Sequence, residues 1–594
     1  MKTDWWKTAA VYQIYPRSFM DSNGDGIGDM NGIRAKLHYI KELGADVIWL
    51  CPVFDSPGAD NGYDIRNYKQ IAGEFGTMED FDRLLADVHA LGMKLIIDLV
   101  INHTSDEHPW FIESRSAKDS EKRDWYIWRD GKNGKEPNNW ESIFGGSAWE
   151  YDQETGQYYL HLFDKKQPDL NWENEAMRQS VYEMVRWWLD KGIDGFRVDA
   201  ISHIKKKEGL PDMPNPDGLP YVPSFPYHMN GEGIMDLLRE LKRETFSRYP
   251  IMTVGEANGV AAWEAADWAG EEHGVFQMIF QFEHLGLWDT EDDQSISIPA
   301  LKRVLSGWQN SLEGKGWNAL FMENHDQPRS VSVWGDERFL TESAKALAAM
   351  YMLMKGTPFI YQGQELGMTN VSFPSIEDYD DAAMKYLYEK ERSRGVPHEK
   401  VMKIIWKKGR DNSRTPMQWS GEANGGFSDA SPWLGVNPNH TWLNAASQMQ
   451  DETSVYHFYR RLLALRKEHS VLISGTYELL LPNDRQIYAY LRKNGTKTVL
   501  IITNLSKTPA LYKHPGYPLD SDTLVLAGME TPPHRHVTSF LLKPYEARVY
   551  MVKNFNPEAE VFCDLRLSSR SDRKRQIQKR IWERKRKRKE ASIC

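Results

Sequence analysis

Cysteine is nearly missing from this chain: three in 594 residues, Cys51 in an apolar run and Cys563 and Cys594 near the end. Three are too few for a disulfide framework and suit a reducing compartment. Long apolar runs are missing as well. No stretch approaches the roughly 20 residues of a membrane-spanning helix. The opening Met1-Lys2-Thr3-Asp4-Trp5-Trp6 has no apolar core of a secretion signal. A cytoplasmic protein without membrane contact is expected. Positive charge is in deficit, 74 Lys and Arg against 84 Asp and Glu, for a formal net charge of −10. That balance argues against nucleic acid as a partner of the globular body.

The chain has the length for two or three domains and ample apolar material for a large core. Aromatics reach 12%, with 22 Trp; most belong to a core, and some can stack on the apolar faces of sugar rings. Short apolar runs at 11–16, 47–54, 94–101, 195–202, 252–257, 277–283, 318–324 and 359–365 are separated by stretches that include amphipathic helical patterns. Eight such strands alternating with helices predict a parallel sheet, and eight is the number that closes a barrel. An open doubly wound sheet is the alternative. It would gather the chemistry at one switch point, whereas here the reactive residues fall at many strand ends.

The expected fold is therefore α/β, a (β/α)8 TIM barrel over 1–101 and 172–473. A small polar lobe, 102–171, is inserted after the third strand. Irregular stretches also follow the fourth strand (205–230) and the eighth (368–420). From 474 to 556 the pattern changes to the alternation of a C-terminal antiparallel β domain. The remainder, 557–594, is a basic tail, read either as a disordered appendage or as an arm for an anionic surface.

The chemistry starts at Gly195-Phe196-Arg197-Val198-Asp199-Ala200. Residues two apart in a strand share a face, so Arg197 lies beside Asp199 at the end of a buried strand. The pair is either a structural ion pair or a nucleophile held ionised by its neighbour. Other strand ends favour the second reading. Glu256 closes an apolar, small-residue strand, a setting suited to a general acid. Asp326 follows Asn324-His325, and His103 ends the run that begins Asp98-Leu99-Val100. Separately, Asp21-Ser22-Asn23-Gly24-Asp25-Gly26-Ile27-Gly28-Asp29 spaces oxygen donors as a hard cation requires. Asp21, Asn23, Asp25, the Ile27 carbonyl and Asp29 are expected to hold one structural Ca²⁺ or Mg²⁺; a metal-free loop of Asx turns is the alternative. No organic cofactor is expected.

The segments 98–103, 195–199, 255–256 and 324–326 resemble, in order, the conserved regions of the α-amylase superfamily. Gln167-Pro168-Asp169-Leu170-Asn171, Asp60-Asn61-Gly62-Tyr63-Asp64 and Arg410-Asp411-Asn412-Ser413-Arg414-Thr415-Pro416 are similar to its oligo-1,6-glucosidase and α-glucosidase subfamily. The resemblance runs from Trp5 to about Val552 and implies a retaining glycosidase. In it, Asp199 is the nucleophile, Glu256 the acid and base, and Asp326 the stabiliser of the transition state. Arg197, His103 and His325 would hold the nucleophile and the sugar hydroxyls. Asp60 and Arg410, with Tyr63 between them in the motifs, would grip a terminal glucose and make the enzyme exo-acting. The partner is then a small oligosaccharide, and the protein a monomer or homodimer.

Linkage preference turns on the residue after the nucleophile. Relatives that prefer α-1,6 bonds resemble one another in carrying Val there; this chain has Ala200. An α-1,4 preference, for maltose and maltooligosaccharides, is therefore expected, with oligo-1,6-glucosidase activity on isomaltose as the alternative. Sucrose isomerase and trehalose-6-phosphate hydrolase follow. The isomerases are marked by an Arg-rich loop that Tyr388 to Arg394 does not match, and the hydrolases would need a phosphate cluster, for which Lys205-Lys206-Lys207 is the candidate. A catalytically inactive relative, of the transporter-subunit kind, would carry a membrane span and lack some of the three carboxylates.

Overall fold

Eight short strands carry the barrel: β1 Val11–Ile14, β2 Val47–Leu50, β3 Lys94–Val100, β4 Gly195–Asp199, β5 Met252–Glu256, β6 Met278–Phe280, β7 Ala319–Leu320 and β8 Thr357–Tyr361. In this computed structural model, which describes residues 4–289, 296–495, 497–513, 519–535 and 537–553, they form one sheet in the order β6-β5-β4-β3-β2-β1-β8-β7. Every pairing within it is parallel. The tail 557–594, with Cys563 and Cys594, lies outside the described residues.

The side-chain alternation decides what faces the barrel axis. One apolar cluster holds Val11, Val47, Trp49, Ile96, Met252, Val254, Met278 and Phe359, which fill the interior. Their sequence neighbours Tyr12, Ile48, Leu95, Ile97, Phe196 and Val198 belong to the cluster beneath the helices. In β4 the inward set is consequently Gly195, Arg197 and Asp199. Gly195 has φ 145°, and a Cβ there would stand 1.7 Å from the Met252 carbonyl oxygen. Only glycine lets β4 and β5 approach at that point.

The helices are set by ordinary end signals. Thr77 and Asp80 form a capping box for Met78–Ala90, which buries Phe81, Leu84 and Val88. Asn174 caps Glu175–Lys191, and left-handed Gly192 ends it.

The inserted lobe contains a three-stranded sheet, Trp128–Arg129, Gln157–Leu160 and Trp149–Asp152. Its core is not its own. Leu210, Met213 and Tyr227, from the irregular stretch after β4, pack with Trp140, Trp149 and Leu160. Val222–Pro223 also pairs with Trp140–Glu141. Two stretches distinct in sequence make one body over the barrel mouth. The C-terminal domain is a five-stranded sheet of Thr476–Leu480, Ile487–Asn494, Lys497–Asn504, Ala547–Lys553 and Leu524–Ala527, antiparallel throughout. Buried Lys302 of the barrel reaches it, donating to the Leu481 and Asp484 carbonyls.

Candidate active site

Parallel register places Arg197 of β4 beside Asp98 of β3 and Val254 of β5. Since Asp98 and Glu256 also face inward, one guanidinium meets three acids. Arg197 Nη1 donates to Asp98 at 2.6 Å and to Asp199 at 2.7 Å, and Nη2 lies 2.9 Å from Glu256. The chain turns sharply just beyond β4: Ala200 is left-handed, φ 43°, an uncommon conformation for a residue with a side chain. That turn aims the Ala200 N–H at Glu256 Oε2, 2.8 Å away. The strained backbone therefore holds the second carboxylate in place.

Asp326 stands across the mouth, held from the far side. Arg414 donates to it at 2.7 Å, His325 Nε2 lies 3.1 Å from it and Arg410 Nη1 3.6 Å. His325 is itself fixed, with Gln13 2.9 Å from Nδ1, the Tyr63 hydroxyl 2.6 Å from Nε2, and Tyr63 stacked on its ring at 5.2 Å. Asp60 accepts from Gln167 at 3.1 Å and lies 3.6 Å from Arg410. His103 is buried beside the same Gln167, 3.1 Å away. Asp60, Tyr63, His103, Asp199, Glu256, Asp326 and Arg410 line one cavity of about 240 Å³, together with Ala200, Phe144, Phe163 and Phe282. Carboxylates at one end and aromatic faces around the walls suit a single polar ring with apolar faces.

The charges are not alike. Burial pushes the Asp199 carboxyl well above the usual carboxylate range; Arg197 opposes this, while Glu256, Asp98 and Asp326 reinforce it. The sequence expectation was the reverse, because it assigned the whole of Arg197 to Asp199. Shared among three acids, the cation does not offset the desolvation of Asp199. Burial also works against Asp326, but His325, Arg414 and Arg410 outweigh it and hold that carboxyl well below its usual value. Asp60 is pushed up to about 6, chiefly by burial. His103, lowered to about 4 by burial, is neutral.

Two groups at the site were missed in the sequence. Arg414 lies within a segment singled out there, four residues after Arg410 on one short helix face, and that spacing was the available signal. Asp98 begins the 98–103 motif run but was given no task there.

The acidic loop after β1 sits away from this cavity. Asp21 accepts from the N–H groups of Asn23, Gly24 and Gly26 and from the Ser428 hydroxyl, and is held below its usual value despite partial burial. Asp29 accepts from Ser22 and Gly32. Among the described residues no Lys, Arg or His ion pair reaches Asp21, Asp25 or Asp29, and no three His, Cys, Asp or Glu side chains cluster as metal ligands. The side chains of Asp21, Asn23, Asp25 and Asp29 accept instead from the loop's own N–H groups and hydroxyls, as Asx turns do. No described helix is long and apolar enough to cross a membrane.

Residues 13–475 match the alpha amylase catalytic domain, and 477–549 the maltogenic amylase C-terminal domain. The chain is 74% identical over 552 residues to the probable oligo-1,6-glucosidase 3 of Bacillus subtilis, covering 93% of this chain and 100% of that one. It is 53% identical to the oligo-1,6-glucosidase of Halalkalibacterium halodurans, with the same coverage. Among solved structures, the trehalose-6-phosphate hydrolase of Bacillus licheniformis superposes with a TM-score of 0.86 at 44% identity, over 93% of this chain and 100% of that chain. With the barrel, the carboxylates at its mouth and the two domain matches agreeing, the chain belongs to the α-amylase family of glycoside hydrolases.

Proposed function

We propose that this chain is a retaining exo-α-glucosidase, with short α-1,6 glucosides such as isomaltose as its preferred substrates. One observation carries the chemistry: Arg197 holds Asp199 and Glu256 together at the end of a pocket sized for one sugar. Two carboxyls about 5–5.5 Å apart are what retention needs. Asp199 attacks the anomeric carbon as the bond to the leaving oxygen breaks, and Glu256 gives that oxygen its proton. Water then gives a proton to Glu256 and attacks the same carbon, releasing Asp199 and glucose. Asp326, held ionised opposite, faces the positive charge that develops on the ring. Asp60 and Arg410 are paired across the pocket with Phe144 under the guanidinium at 4.8 Å, an arrangement that supports the binding of a terminal residue.

The names of the relatives support the α-1,6 preference. Ala200, at the pocket wall beside the nucleophile, favours α-1,4 bonds as a second reading. Lys205 pairs with Glu173, buried Lys206 with Asp169, and Lys207 lies over Tyr227. With all three engaged, an unphosphorylated sugar is the better substrate. The ratio of kcat/KM for isomaltose and maltose tests the assignment. It should exceed one, and Ala200→Val should raise it about tenfold, as one or two methyl groups can. A ratio well below one in the parent would transfer the assignment to α-1,4.

The same proposal includes one structural Ca²⁺ or Mg²⁺ in the loop of Asp21, Asn23, Asp25, Ile27 and Asp29. Bound there, it would fix the segment that follows β1.

A further inference from the structure

We propose that Asp381 is a positioning residue, whose buried negative charge holds Arg410 back at the rim of the sugar pocket. The proposal rests on the reading of Arg410 as a group that grips the terminal glucose. Asp381 has no catalytic contact and its side chain is fully buried. One of its oxygens accepts from the Arg410 backbone N–H at 2.8 Å; the other accepts from Nε at 3.3 Å and Nη2 at 3.2 Å. The second oxygen also accepts from Ala383 N–H at 3.1 Å, which makes Asp381 the N-cap of the helix Ala382–Ser393. Its own backbone is anchored in turn, since Asp411 accepts from the N–H groups of Asp380 and Asp381.

Arg410 thus stands between opposing pulls. Asp60 and Asp326 lie in front, each 3.6 Å from Nη1, and Asp381 lies behind at contact distance. Without the charge behind, the two pocket carboxylates are the only acids left within reach of the guanidinium among the described residues, opposed by Arg414 and the Phe144 face alone. The guanidinium would slide forward into the volume the sugar occupies, and screening by water or salt is weak at so buried a place. Binding of the ground state should suffer first.

Capping and clamping can be separated. Asn and Ser cap a helix about as well as Asp, but neither carries the charge. Asp381→Asn and Asp381→Ser are to be made in the parent and in an Arg410→Gln background, with kcat and KM on isomaltose and p-nitrophenyl α-glucoside and a thermal melt of each. Both single variants should raise KM by about tenfold or more with a smaller change in kcat, because misplacement by about 1 Å is that costly. Their Tm should fall by a few degrees, since a buried ion pair loses a partner, while each melt stays one cooperative transition above the assay temperature. In the Arg410→Gln background the Asp381 changes should leave KM where Arg410→Gln alone put it. KM within twofold of the parent, or an equal further penalty without the arginine, would overturn the proposal. Turnover by the parent tests the functional reading; only the ratio of variant to parent tests the clamp.

Discussion

Arg197 is the residue on which the chemistry turns. A cation inside a barrel is expensive to desolvate, and apolar side chains would fill that space at less cost to stability. Its use here is to hold Asp199 and Glu256 at fixed positions. If Glu256 supplies the proton to the leaving oxygen, Glu256→Gln should lower kcat/KM on isomaltose by about 10²–10⁴. The loss should be much smaller on p-nitrophenyl α-glucoside, whose leaving group needs no proton, and steady-state kinetics on both substrates measure the difference. Asp60 gives a second residue-level outcome. Its folded value of about 6 lies above the ~3.9 of an unfolded Asp. Between the two the folded state binds the proton more tightly, so the contribution of Asp60 to stability falls as pH rises through that window and stays low above it. Asp60→Asn removes this titration. Its Tm relative to the parent should therefore rise from about pH 4 to about pH 7, whereas a flat or falling difference would contradict the assignment.

At the level of elements, the strands were legible because alternation and register follow from local rules. Arg197 and Asp199 two apart, Glu256 at a strand end and the order of the eight runs recur in the structure, whereas β7 stops at Leu320 and Asp326 stands in a turn beyond it. Arg414 was harder to read, because its partner Asp326 is 88 residues away, as was Asp381, whose partner lies 29 residues on, past the helices Ala382–Ser393 and His398–Lys408 that form where an irregular stretch was expected. No periodicity links such positions; only the closed barrel brings their loops together. The shared core of the lobe, with Leu210 and Met213 supplied from beyond β4, escaped for the same reason. The β1 loop, by contrast, is wholly local. If it binds a divalent cation, chelation should lower the Tm by several degrees, Ca²⁺ or Mg²⁺ should restore it, and Asp21→Ala should abolish the response. A chelator-insensitive melt of the parent would leave the loop as a set of Asx turns.

Taken whole, the molecule places its rigid and its variable parts at opposite ends of one function. The barrel strands fix Asp199 and Glu256, and segments after β2, β3, β4 and β8 supply Asp60, Phe144, Phe163, Phe225 and Arg410 to the walls of the cavity. This division explains how proteins with such similar barrels can carry names as different as oligo-1,6-glucosidase and trehalose-6-phosphate hydrolase. What they would share is a glucosyl group passing through a covalent bond to the enzyme. Trapping that ester with a slow fluorinated α-glucosyl substrate, followed by mass spectrometry of the digested protein, tests the idea most directly. The label should lie on the peptide containing Asp199 and be lost in Asp199→Ala; a label on Asp326 or Glu256, or β-glucose as the first product released, would contradict it.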